Sequence, residues 1–586
     1  MPALPVQGIG TLSEERKGRF MKYLKDLKSL GNLKSLKDLF KRGEAAAYPK
    51  FSIKEPAYLI ELPKTEGTKN LNIHYPLLEP LASANIKWTA EKKTLTYQII
   101  EPRLTKSEKD NLEKIKKDLV ELIDVELTAL NEKGTTLEYL EGKVNKVLEE
   151  ENMKLPAKQY IKIMYYIFRD FIGLNEIEPF MHDPYIEDIG CDGVKTPLYV
   201  VHKRFGSLET NVVYNDIEQL SSFVVKLAER CGRYISYAMP LLDGTLPDGS
   251  RIQASLAKDV TTRGPTFSIR RFRKFPLSPV ELMNLGTVSS DLLAYLWLVI
   301  QSGVSILTCG GVSTGKTSLL NAITLFIPSE AKIVSIEDTR ELNLPHDNWI
   351  PAVSRSGFGV PDATGKRYGE VTLFELLRES FRQNPDYVLV GEVRGKEAYV
   401  MFQGMASGHP SIGTIHAGSV DDVIKRLITP PIEISPSLVE SLDLLIVMIK
   451  SKERGESARR VKEVVEIQSV DSETGKAKTL KSFAWNPAND TFESKEAESG
   501  LLRKISIEKG LNYRKVTEEL ENRKKVLEWM QRHNVTKYDN VAEFVSLYYK
   551  DPQTLMKWVK KDIHPYEAKD KSKKLMGFVT GLKTIE

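Results

Sequence analysis

The chain has 586 residues, of which 41% are hydrophobic and 28% charged, and a formal net charge of +5. A chain of this length exceeds one hydrophobic core, so about three or four folding units are expected. Its three cysteines are isolated, which excludes a Cys-x-x-Cys zinc module and a disulfide framework and favours a reducing cytoplasmic compartment. We expect no signal peptide, because residues 1–16 lack an apolar core after a basic start.

Residues 1–48 are predicted to form a basic arm. Ten Lys and Arg residues oppose two acidic residues between positions 16 and 42, and Gly31-Asn32 is expected to divide this segment into two short amphipathic helices. Leucines beside lysines suit an anionic membrane surface, but a solvated basic arm is an equally good interpretation. The remaining chain is slightly acidic, which argues against a general nucleic-acid-coating protein.

Two regions that combine helices and strands follow the arm. Residues 49–157 are predicted to be an accessory α/β domain, with strands at 57–62 and Thr94–Ile100 before a charged helical segment at 106–151. Residues 158–275 are predicted to be a second, α+β domain that begins with a helix at 158–174 and contains a turn cluster at 243–249. The strands predicted in this second domain are Ile186–Cys191, 198–201, Gly206–Val213, 250–256 and 266–271.

From residue 278 to about 451 the chain alternates helical and apolar strand-like segments, which is typical of a mostly parallel α/β sheet and lies within a nucleotide domain predicted at 276–500. Segment 292–309 is interpreted as a buried helix followed by a buried strand, since polar residues interrupt it too often for a membrane span. Strands at 461–470 and 479–485 are predicted to form a hairpin around Thr474-Gly475. Residues 501–586 are predicted to be a C-terminal helical extension, with helices at 516–533 and 541–549.

The sequence GGVSTGKT at 310–317 lies between an apolar strand-like run and a helix-like run, which is the context of a phosphate-binding P-loop. Its backbone amides would surround phosphate, the Lys316 ammonium would reach the β- and γ-phosphate oxygens, and the Thr317 hydroxyl would hold Mg²⁺. The chain is therefore predicted to bind and hydrolyse ATP. The predicted nucleotide-binding residues are Gly310, Gly311, Val312, Ser313, Thr314, Gly315, Lys316, Thr317, Ser318 and, farther along the chain, His409.

Two further apolar strands end in carboxylates, at Glu337-Asp338 and at Gly391-Glu392. Because strand ends surround the nucleotide in a P-loop fold, these acids can orient Mg²⁺ or polarise the attacking water. A single acid at such a place would equally suit a helix N-cap or a salt bridge. This chain has Gly391 at the position where a usual metal-binding strand ends in Asp. Glu392 is therefore expected to supply the metal-side carboxylate, together with Thr317, and the alternative is that the metal is held more loosely.

Histidines and arginines complete the set of candidate residues. His409 and His416 follow the Glu392 strand and its helix and are predicted to contact the nucleotide, although a lone histidine is more often a packed structural residue. A zinc pair is disfavoured, since no third ligand is evident. Arginines that could neutralise charge in phosphoryl transfer are Arg251, Arg270 and Arg271 before the P-loop and Arg355, Arg378 and Arg382 after it.

Four sequence blocks in this order resemble the secretion ATPase superfamily, which powers type II secretion, type IV pili, type IV secretion and the archaellum. The P-loop, IEDTRE at 336–341, NPDYVLVGEVRG at 384–395 and GHPSIGTIHA at 408–417 resemble its Walker A, Asp box, Walker B and His box. The similarity covers roughly residues 160–500. The chain lacks a tetracysteine zinc module, and in this it resembles the archaeal branch of the superfamily, which contains archaellum motors and pilus-assembly ATPases.

The resemblance implies a homo-hexameric ring with an α/β fold, in which a PAS-like α+β domain at 158–275 precedes a RecA-like P-loop ATPase domain at 276–500. It implies that Glu337 is the catalytic glutamate and Glu392 the Walker B glutamate, and Gly391 is usual at its position in this family. Arginines that reach the nucleotide from the preceding domain correspond to Arg251, Arg270 and Arg271, while a trans arginine finger among Arg355, Arg378 and Arg382 is left open.

The resulting hypothesis is a Mg²⁺-dependent ATPase motor, cytoplasmic and peripherally attached to the inner face of the cell membrane. It would assemble or secrete a pilus-like filament through a polytopic membrane platform protein, with no nucleic-acid partner. One alternative is a nucleic-acid-translocating RecA-like ATPase, disfavoured because basic stripes with interleaved aromatic residues are lacking. Another is a scaffold that binds nucleotide without hydrolysis, disfavoured because both acids are present.

Overall fold

The computed structural model describes residues 48–56, 62, 69, 71–123, 133–256, 258–272, 276–355, 357, 362–363, 365–453, 456–472 and 474–565. The chain divides into two compact units. The first comprises Met1–Pro184 with Leu208–Val212, and the second comprises Tyr185–Ser207 with Val213–Glu586. The basic arm predicted at 16–42 and most of the strand predicted at 57–62 lie outside the described residues.

The first unit contains an antiparallel three-stranded meander and a helical layer. Strand β3 (Thr94–Ile100) has the predicted bounds, whereas β1 (Asn72–Leu78) and β2 (Ala82–Thr89) were not predicted, because Pro76, Asn85 and Lys87 interrupt their apolar pattern. Buried and exposed residues nevertheless alternate along both, as expected for a half-buried sheet. The helices are α1 (Lys106–Leu122), α2 (Lys133–Glu150), α3 (Ala157–Ile167) and the short α4 (Glu178–Met181), with a π-helical turn at Phe168–Ile172.

Helix packing closes the core of the first unit. The Thr105 hydroxyl and the Glu108 carboxylate form a capping box that starts α1, and Leu112, Ile115 and Leu119 follow on one helical face. These side chains pack with buried residues of α2 and α3. The segment predicted as helical at 106–151 thus holds two separate helices in the part that is described.

The second unit begins with an antiparallel sheet whose strand order is β5-β4-β9-β8-β7. The prediction of a turn cluster at 243–249 is partly wrong, because residues 243–245 belong to a strand paired with residues 251–253, so only 246–249 form the turn. Here cross-strand pairing overrides the local Asp-Gly turn signal. The elements are β4 (Ile186–Cys191), β5 (Pro197–His202), β6 (Gly206–Val213, divided between the units), α5 (Ile217–Arg230), β7 (Leu241–Thr245), β8 (Arg251–Ser255) and β9 (Thr266–Arg270).

The predicted parallel α/β sheet forms the larger part of the second unit. Its order is β12-β11-β13-β14-β10-β15-β16-β17-β18, parallel as far as β15 and antiparallel from there, and the predicted hairpin is β16 with β17. The strands are β10 (Ile306–Gly310), β11 (Ile333–Glu337), β12 (Trp349–Val353), β13 (Tyr387–Val393), β14 (Ser411–Ile415), β15 (Leu444–Glu453), β16 (Glu456–Val470), β17 (Ala477–Asn486) and β18 (Thr491–Ser494).

Helices cover both faces of this sheet, because successive strand residues point to opposite sides. Ile306 and Ile333 face a core shared with α6–α8 and α13–α16, and Leu307 and Val334 face a core shared with α9–α12. The helices are α6 (Pro279–Asn284), α7 (Ser290–Gln301), α8 (Lys316–Thr324), α9 (Leu373–Arg382), α10 (Glu397–Ala406), α11 (Val420–Ile428), α12 (Pro436–Val439), α13 (Gly500–Glu508), α14 (Tyr513–Arg532), α15 (Tyr538–Lys550) and α16 (Pro552–Lys560).

The C-terminal helices belong to the core of the sheet. Trp529 of α14 and Phe544 of α15 lie in the same apolar cluster as Trp297 of α7, so this predicted extension packs directly on the α/β sheet. The segment 292–309 is a buried helix and a buried strand, as predicted. Throughout the described ranges, every helix is too short or too polar to cross a bilayer.

Candidate active site

The predicted P-loop joins the buried strand β10 to helix α8. Ser313 and Gly315 have positive φ angles of 57° and 94°, and Gly315 adopts this left-handed conformation without the steric cost of a side chain. Gly315 is also the N-cap of α8, so the unpaired N–H groups of the first helical turn open toward the loop. The Thr314 hydroxyl donates to the Gly311 carbonyl at 3.0 Å. The loop therefore has the curved backbone and helix N-terminus that bind phosphate.

The Lys316 ammonium lies within the P-loop. Its Nζ atom donates to the carbonyl oxygens of Gly310 and Gly311 at 3.0 and 2.9 Å. Burial lowers the pKa of Lys316, while the carboxylates of Glu392 and Glu341 act in the opposite direction. Neutral carbonyls are weaker partners than a phosphate oxygen, so a bound phosphate can replace them with charge-assisted hydrogen bonds.

Glu337 is the last residue of β11 and is only 2% exposed. Its Oε1 atom accepts hydrogen bonds from the backbone N–H groups of Glu341 and Leu342, both at 2.9 Å. Its Oε2 atom is buried and has no hydrogen-bond partner among the described residues. Burial raises the pKa of Glu337 to about 7, although the two backbone donors oppose the shift. One oxygen is therefore fixed by two backbone donors, and the other is a buried acceptor without a hydrogen-bond partner among the described residues.

The neighbouring strand β13 explains why Gly391 stands where many metal-binding strands have Asp. A Cβ atom at Gly391 would lie 3.0 Å from Cγ of Glu337, so any side chain would displace the glutamate. Glu392 follows, and its Oε2 accepts from Arg394 at 2.6 Å, while Arg394 also contacts Asp338 at 3.1 Å. Burial acts to raise the pKa of Glu392, but the hydrogen bond and charge of Arg394, together with Lys316 and His416 nearby, outweigh burial and lower the pKa. Glu392 is therefore an ionised carboxylate near Lys316.

The two candidate histidines lie at opposite ends of β14. His416 follows the strand at the edge that carries the P-loop, and it contributes to the electrostatic environment of Glu392. His409 precedes the strand at the other edge, where its ring packs edge-on against Phe381 at a centroid distance of 5.2 Å. The structure therefore brings His416 to the site but does not bring His409 there. His409 is held by packing, which is the alternative that its sequence left open.

Arginines of the preceding antiparallel sheet lie in cross-strand register. Arg251 is directly opposite Arg270, which is in turn opposite Asp188 and donates to it at 3.1 Å. Arg251 contacts Asp243 at 3.3 Å. Burial acts to lower the pKa of Arg270, but Asp188, Glu341 and Glu187 raise it. Arg270 thus lies within electrostatic range of the loop that holds Glu337, whereas the backbone N–H and guanidinium of Arg271 bond to carbonyls of β4.

The three arginines considered for a trans contact lie around α9. Arg355 donates to the Gly369 carbonyl at 2.7 Å, Arg382 pairs with Glu379 at 3.2 Å, and Arg378 is exposed. A trans arginine finger among these three stays a prediction.

Arg459 is a residue near the P-loop that the motifs did not indicate. Its Nε atom donates to the Ser313 carbonyl at 3.1 Å, and its guanidinium lies 3.9 Å from Glu187 of β4. It comes from β16, outside every phosphate-binding motif, and only the antiparallel pairing of β16 with β15 brings it to the loop. No pattern in the sequence marks it.

The available oxygen donors fit a magnesium ion that is held mainly by a nucleotide. Within the described ranges, no group of three or more His, Cys, Asp and Glu side chains could hold a metal by itself. Thr317 is half-buried in the first turn of α8, and Glu392 is an ionised carboxylate close to Lys316. Mg²⁺ prefers such hard oxygen ligands and usually takes only one or two from the protein beside phosphate and water.

Comparison with known proteins identifies the family. The sequence matches the family described as "Type II/IV secretion system protein" over residues 200–532. The chain belongs to this secretion ATPase family. It is 36% identical over 516 residues to the uncharacterized protein MJ0900 of Methanocaldococcus jannaschii, which covers 84% of this chain and 92% of that protein. It is also similar to the type IV secretion system protein PtlH of Bordetella pertussis, with 33% identity over 276 residues, or 42% of this chain and 79% of that protein.

Solved structures of secretion ATPases are also similar to this chain. The VirB11 ATPase of the Brucella suis type IV secretion system is 24% identical, covering 49% of this chain and 91% of that one, with a TM-score of 0.25. The pilus retraction motor PilT with bound ADP is 16% identical, covering 59% and 90%, with a TM-score of 0.33. At these TM-scores the family assignment rests on sequence. Family membership and the parallel P-loop sheet fit the predicted RecA-like ATPase fold, and the PAS-like label stays a prediction.

Proposed function

We propose that this chain is a Mg²⁺-dependent ATPase motor of a secretion or type IV pilus-like machine. The observation that carries the catalytic part is Glu337, a buried carboxyl group at the end of β11, the strand that follows the P-loop helix in the chain. One of its oxygens has no hydrogen-bond partner among the described residues. Membership of the secretion ATPase family supports the mechanical part. The proposed output is assembly or secretion of a filament of the archaellum or archaeal pilus kind.

The proposed reaction is hydrolysis of the γ-phosphoryl group of ATP by water. Glu337 orients the water and takes its proton, and Lys316 neutralises the β- and γ-phosphate oxygens as charge develops. Mg²⁺, held by Thr317 and Glu392, would neutralise phosphate charge when bound. Arg270 is the arginine best supported for additional charge stabilisation from the preceding sheet, since Glu341 lies within its electrostatic range. His416, beside Glu392, is proposed to respond to the γ-phosphate.

Two cationic contacts support a mechanical coupling between the site and the preceding antiparallel sheet. Arg459 contacts both the P-loop carbonyl of Ser313 and Glu187 of β4, and Arg270 interacts with the acidic loop after β11. Loss of the γ-phosphate changes the charge that both arginines face. We infer that ATP hydrolysis loosens these contacts and lets the sheet move relative to the ATPase core.

The proposed assembly is a homo-hexamer that works at the cytoplasmic face of the membrane with a polytopic platform protein. Family membership supports a partner in membrane machinery. The basic segment at 16–42 is proposed to bind anionic lipid, and flotation with vesicles of anionic phospholipid tests this. Deletion of residues 1–42 should weaken this binding and make the remaining binding less sensitive to salt. Unchanged flotation after the deletion would discard the lipid-binding arm without affecting the ATPase proposal.

Phosphate release by the purified full-length chain tests the proposed site. We expect Lys316→Ala and Glu337→Gln each to lower turnover by at least about 100-fold, because one removes the phosphate-binding charge and the other the base. Glu337→Gln should still bind ATP. Glu330→Gln is the matched control, since Glu330 is an exposed glutamate just before β11. Turnover within twofold of the parent protein in either site variant would refute the assignment.

A further inference from the structure

Asn321 lies on the P-loop helix α8, five residues after Lys316, and is only 5% exposed. Its side-chain amide makes two hydrogen bonds to the loop that follows β11. Nδ2 donates to the Glu341 carbonyl at 3.0 Å, and Oδ1 accepts from the Asn343 N–H at 3.0 Å. The amide thus uses one donor and one acceptor on a single short stretch of backbone, which fixes the stretch in both position and orientation.

The same stretch of backbone holds Glu337 from its other side. The N–H groups of Glu341 and Leu342 donate to Oε1 of Glu337, both at 2.9 Å. Residues 341–343 therefore lie between two side chains, the carboxyl group of Glu337 and the amide of Asn321. A short run of hydrogen bonds connects the helix that begins with Lys316 to the Oε1 atom of Glu337.

We propose that Asn321 is a positioning residue for ATP hydrolysis, which sets the place of the Glu337 carboxyl group relative to the P-loop helix. The proposal rests on the proposed role of Glu337. When α8 shifts with the phosphate bound at its N-terminus, Asn321 carries the 341–343 backbone with it, and Glu337 follows through its two backbone donors. Such pre-organisation matters because a displacement of about 1 Å can lower a rate about 100-fold.

The alternative role of Asn321 is to satisfy its own buried polar atoms. Two features of the structure separate the roles. Both side-chain hydrogen bonds go to the loop that orients Glu337, whereas the hydrogen bond that ties this residue to the C-terminal helix α15 uses the Asn321 backbone instead. The Tyr538 hydroxyl of α15 and the Thr324 hydroxyl both donate to the Asn321 carbonyl, at 2.9 and 2.7 Å. A side-chain substitution at Asn321 leaves those two donors with their acceptor.

Steady-state kinetics of full-length Asn321→Ala and Asn321→Asp test the proposal. Both variants lose the side-chain donor to the Glu341 carbonyl. The Asp variant keeps the shape of the side chain, so a fall in its kcat cannot be attributed to lost packing. We expect kcat to fall about 10- to 100-fold while the KM for ATP stays within about threefold, because the phosphate-binding residues are untouched. Thr324→Val is the matched control. It removes the buried hydroxyl that donates to the Asn321 carbonyl, leaves the 341–343 loop untouched, and should keep kcat within about twofold.

The pH–rate profile supplies a readout that packing alone would not move. The Glu341 and Leu342 N–H groups lower the pKa of Glu337, so their displacement in Asn321→Ala should shift the acidic limb to higher pH. The charged groups that act on Glu337 are Arg340 and Glu341, and neither is altered.

Unchanged kcat in both Asn321 variants would overturn the proposal, and so would a loss matched by Thr324→Val with no movement of the acidic limb. Glu337→Gln belongs in the same series. If that variant retains turnover, the proposed function and this inference both fail. If it is inactive while the Asn321 variants are active, only the inference fails.

Discussion

The carboxyl group of Glu337 ionises in the neutral range because burial raises its pKa to about 7. Only the carboxylate can accept a proton from water, so we expect kcat/KM for ATP to rise with pH and level off above about pH 7. The same shift has a consequence for stability. In the unfolded chain this carboxyl group ionises near pH 4.5, whereas in the folded chain it keeps its proton up to about pH 7. The stability of the folded chain therefore falls as pH rises from 4.5 through 7.

The charge of Glu341 provides a matched test of that assignment. Glu341 raises the pKa of Glu337, so Glu341→Gln should move the acidic limb of the pH–rate profile to lower pH. An acidic limb near 4.5 in the parent protein, the ordinary value for a glutamate, would contradict the role of Glu337 as base.

The sequence predicted the motif residues of the site more readily than the residues that surround them. Lys316, Glu337 and Glu392 stand in contiguous motifs, and the structure brings them to one edge of the sheet. His409 also stands in a motif, yet the strand β14 separates it from His416 by its full length. Arg459 and Asn321 lie in no motif, because their roles depend on contacts with backbone atoms rather than on residue type.

One buried carboxyl group of strand β16 adds hydrogen bonds to the apolar packing that holds the C-terminal helices. Glu466 is 3% exposed and accepts five hydrogen bonds at the N-terminus of α13 and from α7 and β17. We expect Glu466→Gln to lower the free energy of unfolding by about 1–3 kcal/mol, because the amide turns a donor toward groups that are themselves donors. Urea titration of the full-length chain measures this. The five donors are Tyr295, Ser482, Ser499, Gly500 and Leu501.

Glu463 on the same strand is the control for that experiment. It forms an ion pair with the exposed Lys481 at 2.6 Å, so Glu463→Gln should cost less than about 1 kcal/mol. Equal losses in the two variants would show that Glu466 does not fasten the C-terminal helices.

Strands surrounded by turn residues were predicted to within a residue or two, as Ile186–Cys191 and Gly206–Val213 illustrate. The strands β1 and β2 were missed because their polar residues face away from the core, which weakens the apolar run that marks a strand. Residues 243–245 were assigned to a turn because Asp-Gly is a local turn signal, and the cross-strand partner that overrides it lies beyond any local window.

The first unit contains a charge cluster that should make its stability depend on pH. His182 lies between Glu55 and Glu178, at 2.9 and 2.8 Å. Burial acts to lower the pKa of His182, but the two carboxylates raise it to about 9. Because this value exceeds that of the unfolded chain, about 6.5, the stabilisation is complete below pH 6.5 and is lost as pH rises through 9.

Thermal unfolding of the full-length chain at pH 6 and pH 9.5 checks this prediction. We expect the transition of the first unit to occur at lower temperature at pH 9.5, and His182→Gln to reduce the difference. His74→Gln is the control, because His74 lies on the exposed side of β1 and its side chain hydrogen-bonds to Ser83 rather than to a carboxylate. A transition temperature that is the same at both pH values would contradict the role of His182.

Residue pattern alone was enough for the family, the P-loop and the alternation of strands and helices in the ATPase core, because each depends on short-range order. A glycine-rich loop, a strand and a helix need only neighbouring residues to form. The tertiary structure decided which acids, arginines and amides meet. Gly391 approaches Glu337, Arg459 reaches Ser313, and Asn321 holds the loop of Glu341, each through contacts between segments far apart in the chain. Such contacts follow from sheet order and packing, which local pattern does not encode.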